Sequence, residues 1–227
     1  MAEDNALIIG VGDGLSASLA RLLASEGYRV HMVARNIDKL RTLRDEVDGT
    51  LIPADATDPK AINDAVASID GRLDIAVYNP SYRVRGPIVD LDPAEVDKAV
   101  RVTAYGSFLL GQAAARRMLT QDGPVRGTIL FTGASAGVKG FPQSASFAMG
   151  KFAQRGLAQS MSRELHPKGI HVAWVNIDGG IRTSGTNDSD VRMLDPDAIA
   201  RAYLDLARQD RSTWSHELSL RPWVEGF

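Results

Sequence analysis

The chain of 227 residues contains no cysteine. That excludes a disulfide framework, a thiolate nucleophile and any thiolate-bound metal site. Long apolar runs are missing too, and none reaches the roughly 18 residues of a membrane span. Neither sign of charge dominates. Lys+Arg number 26 and Asp+Glu 28, for a formal net charge of -2, which leaves no electrostatic footprint for nucleic acid. The four histidines (31, 166, 171, 216) are scattered, and no pair has metal-ligand spacing on one helix face. No Gly-x-Ser-x-Gly nucleophile elbow occurs. The opening Met1-Ala2-Glu3-Asp4-Asn5 is short and acidic, unlike a secretory signal.

Apolar residues make up 44% of the chain, enough for a large core. The length suits one substantial α/β domain spanning 1–227. These features predict a cytoplasmic enzyme or ligand-binding domain that handles a small molecule, with no nucleic-acid, membrane or metal partner.

Strand-like and helix-like segments alternate. Strands are expected at Ala6–Ile9, Tyr28–Ala34, Gly49–Ala54, Leu73–Tyr78, Gly127–Thr132, His171–Ile177 and Glu217–Leu220. Helices are expected at Leu15–Ala24, Asp38–Val47, Pro59–Ile69, Pro93–Leu119, Ser144–Leu165 and Pro196–Arg208. Continuous apolar strands alternating with helices imply right-handed βαβ units and a parallel sheet covered on both faces. The fold class expected is therefore α/β, a Rossmann-type doubly wound sheet. The least regular stretches, Ser81–Asp92 and Gly179–Leu194, follow the fourth and sixth strands. They should border the ligand crevice, and the second is long enough for a mobile lid.

The first strand runs into Gly10-Val-Gly12-Asp-Gly14-Leu15-Ser16. Glycines serve where a backbone turns tightly and approaches a pyrophosphate at a helix N-terminus. The second strand ends in Val33-Ala34-Arg35. An acid there would hold the ribose 2′-hydroxyl of NAD, whereas an arginine can hold the 2′-phosphate of NADP. NADP(H) is the favoured reading over NAD(H), against an ordinary solvated arginine. Asp38, the nearest acid, reads as a helix N-terminal residue.

With these residues the chain resembles the short-chain dehydrogenase/reductase family over essentially its full length. The family's Thr-Gly-x-x-x-Gly-x-Gly loop is matched at Gly10 and Gly14, with Ile9 for the threonine and Ser16 for the last glycine. The resemblance implies cofactor contacts from Gly10, Gly12, Gly14, Leu15, Arg35 and Asp55, the last either an adenine contact or a turn-former before Thr57. It extends them to Asn79, Gly179, Thr183 and Lys151. Only Asn79 matches the family's Asn-Asn-Ala-Gly, because Pro80 and Ser81 follow. Asp178 stands where the family has proline.

The catalytic pattern departs most. The family's Tyr-x-x-x-Lys pair is met here by Phe147 and Lys151. Ala134 stands at the serine position thirteen residues before the tyrosine, and Thr103 at the asparagine position. No tyrosine has a lysine four residues later. Phenylalanine has no proton for a nascent alkoxide, whereas a positioned acid contributes roughly 10²–10⁴-fold. Asp178 is the first candidate for a substitute acid and Tyr82 the second, with Ser135, Ser144, Ser146 and Tyr105 also near. The resemblance implies an NADP(H)-dependent oxidoreductase with an altered catalytic centre acting on a small carbonyl or related acceptor. The alternative is a catalytically silent NADP(H)-binding sensor or subunit. A homodimer or homotetramer is expected through Pro93–Leu119 and Ser144–Leu165. The aromatic tail, Arg211–Phe227, is expected to pack on a partner, over the substrate pocket or on its own domain.

Overall fold

A computed structural model describes residues 4–183 and 190–225. Seven strands form one sheet: β1 (Asp4–Ile9), β2 (Arg29–Ala34), β3 (Thr50–Pro53), β4 (Arg72–Tyr78), β5 (Gly127–Thr132), β6 (Ile170–Ile177) and β9 (Glu217–Leu220). Their order is β3-β2-β1-β4-β5-β6-β9, and every neighbouring pair is parallel. The two-residue strands β7 (Gly180–Ile181) and β8 (Met193–Leu194) pair separately at the base of the 179–194 loop. Of the 179–194 stretch expected to form a lid, residues 184–189 lie outside the described residues.

Alternation along the buried strands sends side chains to two cores. Ala6 and Ile8 face one side, with Leu15, Leu19 and Leu23 of α1 (Leu15–Ser25), Leu43 of α2 (Arg41–Val47), and Tyr203 and Leu204 of α7 (Pro196–Ala207). Leu7 and Ile9 face the other, with Ile62 of α3 (Pro59–Ala67), Leu109 and Leu110 of α5 (Gly106–Leu119) and Ala158 of α6 (Ala145–Leu165). The helices have local causes. Asp58 and Asp195 cap α3 and α7 through their carboxylates, each with proline as first helical residue. The doubly wound architecture expected from the alternation is present. Chain order reverses at β1 and β4, the switch point where such sheets open a ligand crevice.

Pro93–Leu119 is not one α-helix, contrary to expectation. It runs as α4 (Pro93–Val100), a π turn over Arg101–Tyr105, and α5. Beneath the turn, the Tyr78 hydroxyl donates to the Val102 carbonyl oxygen. A Cβ at Gly106 would sit 2.0 Å from the Tyr78 hydroxyl, so only glycine lets the helix resume over that ring. Asp38–Leu40 is a 3-10 turn preceding α2 rather than its first turn.

Candidate functional site

The loop after β1 is held by Gly10 N–H donating to the Val33 carbonyl oxygen at 2.8 Å. Gly10 and Gly14 have φ of 81° and 94°, where a side chain would be strained. A Cβ on Gly10 would also meet Pro80 Cγ at 2.5 Å, so Pro80 packs where only glycine leaves room. Helix α1 begins at Leu15 with no side-chain cap and no acid in its first turn. Its first N–H groups therefore remain available to an anion.

Ser16 contributes a hydrogen-bonded hydroxyl to the glycine loop. Asn79 Nδ2 donates to Ser16 Oγ at 2.7 Å, and Ser16 Oγ donates to the Gly10 carbonyl oxygen at 3.2 Å. Asn79 is thereby tied to the glycine loop across the switch point.

A cleft of about 490 Å³ opens here, lined by Gly10, Gly12, Gly14, Leu15, Ser16, Arg35, Asp55, Asn79, Tyr82 and Thr183 among others. The sequence-derived cofactor residues thus converge, with two exceptions. Gly179 packs under Pro222 and Leu194 instead, and Lys151 is absent from the lining. Arg35 is exposed at the cleft rim. Asp55 forms a turn, accepting from Thr57 N–H and Oγ–H at 2.8 Å each, while also lining the cleft. The Thr57 N–H bond is the main cause that holds its carboxyl below the ordinary aspartate value.

The second cluster lies at the carboxyl end of β5. Lys151 is only 2% exposed, and its Nζ donates to the Thr132 carbonyl oxygen at 2.5 Å, with Gln154 Oε1 at 3.4 Å. Burial pulls its pKa down to about 7. Gln154 Nε2 donates to Ser107 Oγ at 2.8 Å, and Ser107 Oγ to the Thr103 carbonyl oxygen at 2.6 Å. On the opposite side Tyr203 donates to Thr132 Oγ1 at 2.9 Å. Ser107, Gln154 and Tyr203 escape a motif-based reading. The available signal was spacing: Gln154 follows Lys151 by three residues and Ser107 follows Thr103 by four, each on one helix face.

Phe147 lies one turn before Lys151, its ring centroid 5.8 Å from Lys151 Nζ. Ala134 is half-buried ahead of the 3-10 turn Ser135–Gly137. Thr103 is buried in the π turn, accepts from Tyr82 N–H at 3.3 Å, and packs on Gly150 of α6. Of the two proposed acids, Asp178 is outside the cleft lining and paired with Arg221 at 3.0 Å. Asp178 thus stands apart from the cleft that Tyr82 borders. The Tyr82 side chain borders the cleft, donates to Glu95 Oε2 at 2.5 Å, and lies under Lys98 Nζ at 4.3 Å from the ring centroid.

Ser146 is a fastener. Ser146 Oγ donates to the Val84 carbonyl oxygen at 2.9 Å and accepts from Val84 N–H at 3.3 Å. In the tail, Trp214 stacks on His171 with centroids 4.9 Å apart and donates to the Gln209 carbonyl oxygen at 3.1 Å. That part packs on its own domain. Trp223, by contrast, is 84% exposed. Among the described residues no helix is long and apolar enough to cross a membrane, and no group of three His, Asp or Glu could hold a metal ion.

Residues 4–192 match the short chain dehydrogenase family. An uncharacterized oxidoreductase of Staphylococcus aureus is 27% identical over 231 residues, covering 98% of each chain. Sorbitol-6-phosphate 2-dehydrogenase of Escherichia coli is 31% identical, over 74% of this chain and 68% of the relative. The crystal structure of a short-chain dehydrogenase from Rhodopseudomonas palustris superposes with a TM-score of 0.85 at 32% identity, over 97% of this chain and 99% of that one. A metagenomic short-chain oxidoreductase in complex with NADP gives 0.83 at 27% identity, over 99% of both chains. With the crevice at the switch point and its glycine loop, these matches establish that the chain belongs to the short-chain dehydrogenase family.

Proposed function

We propose that the protein is an NADP(H)-dependent oxidoreductase of a small carbonyl or related acceptor, built as one nucleotide-binding domain with an altered catalytic centre. The observation that carries this reading is the cleft itself. An uncapped helix start, a glycine loop open at Gly12 and an arginine at the rim fit a dinucleotide bearing a 2′-phosphate. Gly10, Gly12, Gly14 and Leu15 would hold the pyrophosphate, Arg35 the 2′-phosphate, and Asp55 and Asn79 the walls, with Thr183 above Gly14. When bound, the cofactor supplies a hydride.

The protein's own task is the proton. In this reading Phe147 occupies the family's tyrosine position and Ala134 its serine position, so neither serves the acceptor oxygen. Thr103, at the asparagine position, holds the Tyr82 backbone. Tyr82 is the acid in this reading: its hydroxyl, which donates to Glu95 Oε2 in the structure, would turn to the acceptor oxygen, release its proton there and recover one from solvent. Acceptors that need little acid assistance, conjugated or iminium-like, suit this centre best.

A second reading is a silent NADP(H)-binding subunit or sensor. It is favoured by one observation: the Lys151 ammonium is turned into the Thr132 carbonyl and away from the cleft. Mixing the NADPH-loaded protein with a panel of activated ketones, enones and iminium salts separates the two. Consumption of NADPH that falls about tenfold or more in Tyr82→Phe supports the oxidoreductase with Tyr82 as acid. Consumption unaffected by that change removes Tyr82 from the role, and absence of any consumption leaves the sensor.

The family is usually oligomeric. We assign the interface to the face where Tyr105, Phe108, Met149 and Phe152 lie exposed, with Tyr105 and Phe108 stacked at 6.3 Å between centroids.

A further inference from the structure

Segment 82–86 leaves the cleft wall and runs beside the start of α6. Besides the two bonds between Val84 and Ser146, Gly86 N–H donates to the Gln143 carbonyl oxygen at 3.2 Å. Tyr82 N–H is held by Thr103 Oγ1 at the other end. The segment is thus fixed on both sides of Arg83. Asn79 to Tyr82 line the cleft, so Arg83 is the next residue beyond its wall.

The Arg83 guanidinium lies over the Phe147 ring, Cζ 4.9 Å from the centroid, with Nη2 donating to the buried Ser144 hydroxyl at 3.2 Å. The same ring has Lys151 Nζ at 5.8 Å. An aromatic ring under a guanidinium orients its plane and partly strips its water. Partial burial first, and then the neighbouring Arg85, hold Arg83 below the ordinary arginine value. Among the described residues no carboxylate pairs with Arg83 or with Arg85. Two neighbouring cations, one of them stacked and oriented, thus lie without a counter-charge beside the position where the family acts on substrate. Arg83 remains exposed to solvent, so its guanidinium is accessible to a ligand. A planar guanidinium presents two parallel N–H groups that match a carboxylate or phosphate.

We propose that Arg83, oriented by Phe147 and Ser144, anchors an anionic group, carboxylate or phosphate, on the substrate. The inference rests on the reading of the cleft as an oxidoreductase site. Phe147 then serves as the platform that orients the anchor.

The test is calorimetric titration of NADPH-loaded protein, and of nucleotide-free protein, with paired probes. Acetoacetate is compared with methyl acetoacetate, and hydroxyacetone phosphate with hydroxyacetone. The anionic member of at least one pair should bind about tenfold more tightly or better, the range of a charge-assisted hydrogen bond. The pair that shows the preference identifies carboxylate or phosphate. Arg83→Met keeps an apolar stem on the ring and should erase the preference, while Arg83→Lys should keep part of it. Circular dichroism and unchanged NADPH affinity establish that the variants are folded. Equal affinities within both pairs, or a preference that survives Arg83→Met, would overturn the proposal. If the parent fails to bind NADPH, the cofactor reading is lost, while the nucleotide-free titrations still decide on Arg83.

Discussion

The Lys151 ammonium lies 2.5 Å from the Thr132 carbonyl oxygen, enclosed by protein. Its burial has a signed consequence for stability. The folded pKa is lowered to about 7, below the unfolded value of about 10.4. Between these values the unfolded chain binds more protons, so this lysine makes stability rise with pH, by at most about 1.4 kcal/mol per pH unit. Lys151→Met should therefore be relatively most stable near pH 7 and lose that advantage toward pH 10. Urea unfolding of both proteins across this window checks it. A parallel pH dependence in the two would show that Lys151 is not the titrating group.

Arg35 should select the cofactor. A charge-assisted bond to a 2′-phosphate is worth roughly 1.5–3 kcal/mol, so NADPH should bind at least about tenfold more tightly than NADH. Arg35→Asp should invert the order. Calorimetry giving the parent equal affinities would remove Arg35 from this role.

Ser16 ties Asn79 to the glycine loop. Ser16→Ala leaves Asn79 Nδ2 only the Gly10 carbonyl oxygen at 3.3 Å. It should cost about 1 kcal/mol in urea unfolding and weaken NADPH binding. Unchanged values for both would mean that the bond adds nothing to the loop.

The exposed aromatic face around Phe108 and Phe152 should be covered in solution by a second copy. Light scattering at micromolar concentration should give a dimer or tetramer. Phe152→Arg, which places a charge in the contact, should give a monomer with unchanged circular dichroism. A parent that scatters as a monomer contradicts the assignment.

How much of this was legible in the sequence differs by element. β5 and β9 have the bounds expected, because a glycine or a charged residue starts an apolar run of strand length. The glycine loop was legible for a similar reason: Gly10 and Gly14 are needed by local backbone geometry. The π turn at Arg101–Tyr105 was not, because its cause lies in Tyr78, more than twenty residues away in the chain. The proposed catalytic residues divide along the same line. That residue 147 carries no proton to donate can be read from one letter. The withdrawal of Lys151, the pairing of Asp178 with Arg221 and the use of Ser146 as a fastener all depend on tertiary partners. Arg83 carries no motif, and its meaning appears only when the ring beneath it is seen.

If Phe147 stands in place of the family's tyrosine beside a nucleotide site, restoring the phenol should restore proton transfer. The most direct measurement is the rate of NADPH-dependent reduction of a reactive diketone by the parent and by the Phe147→Tyr, Ala134→Ser double variant. Residues 147 and 151 share one helix face, so the new phenol would stand near Lys151. A gain of at least about tenfold is expected, within the range for one general acid, with NADPH affinity nearly unchanged. A folded, NADPH-binding double variant with no gain, or a parent that already reduces the diketone as fast, would contradict it.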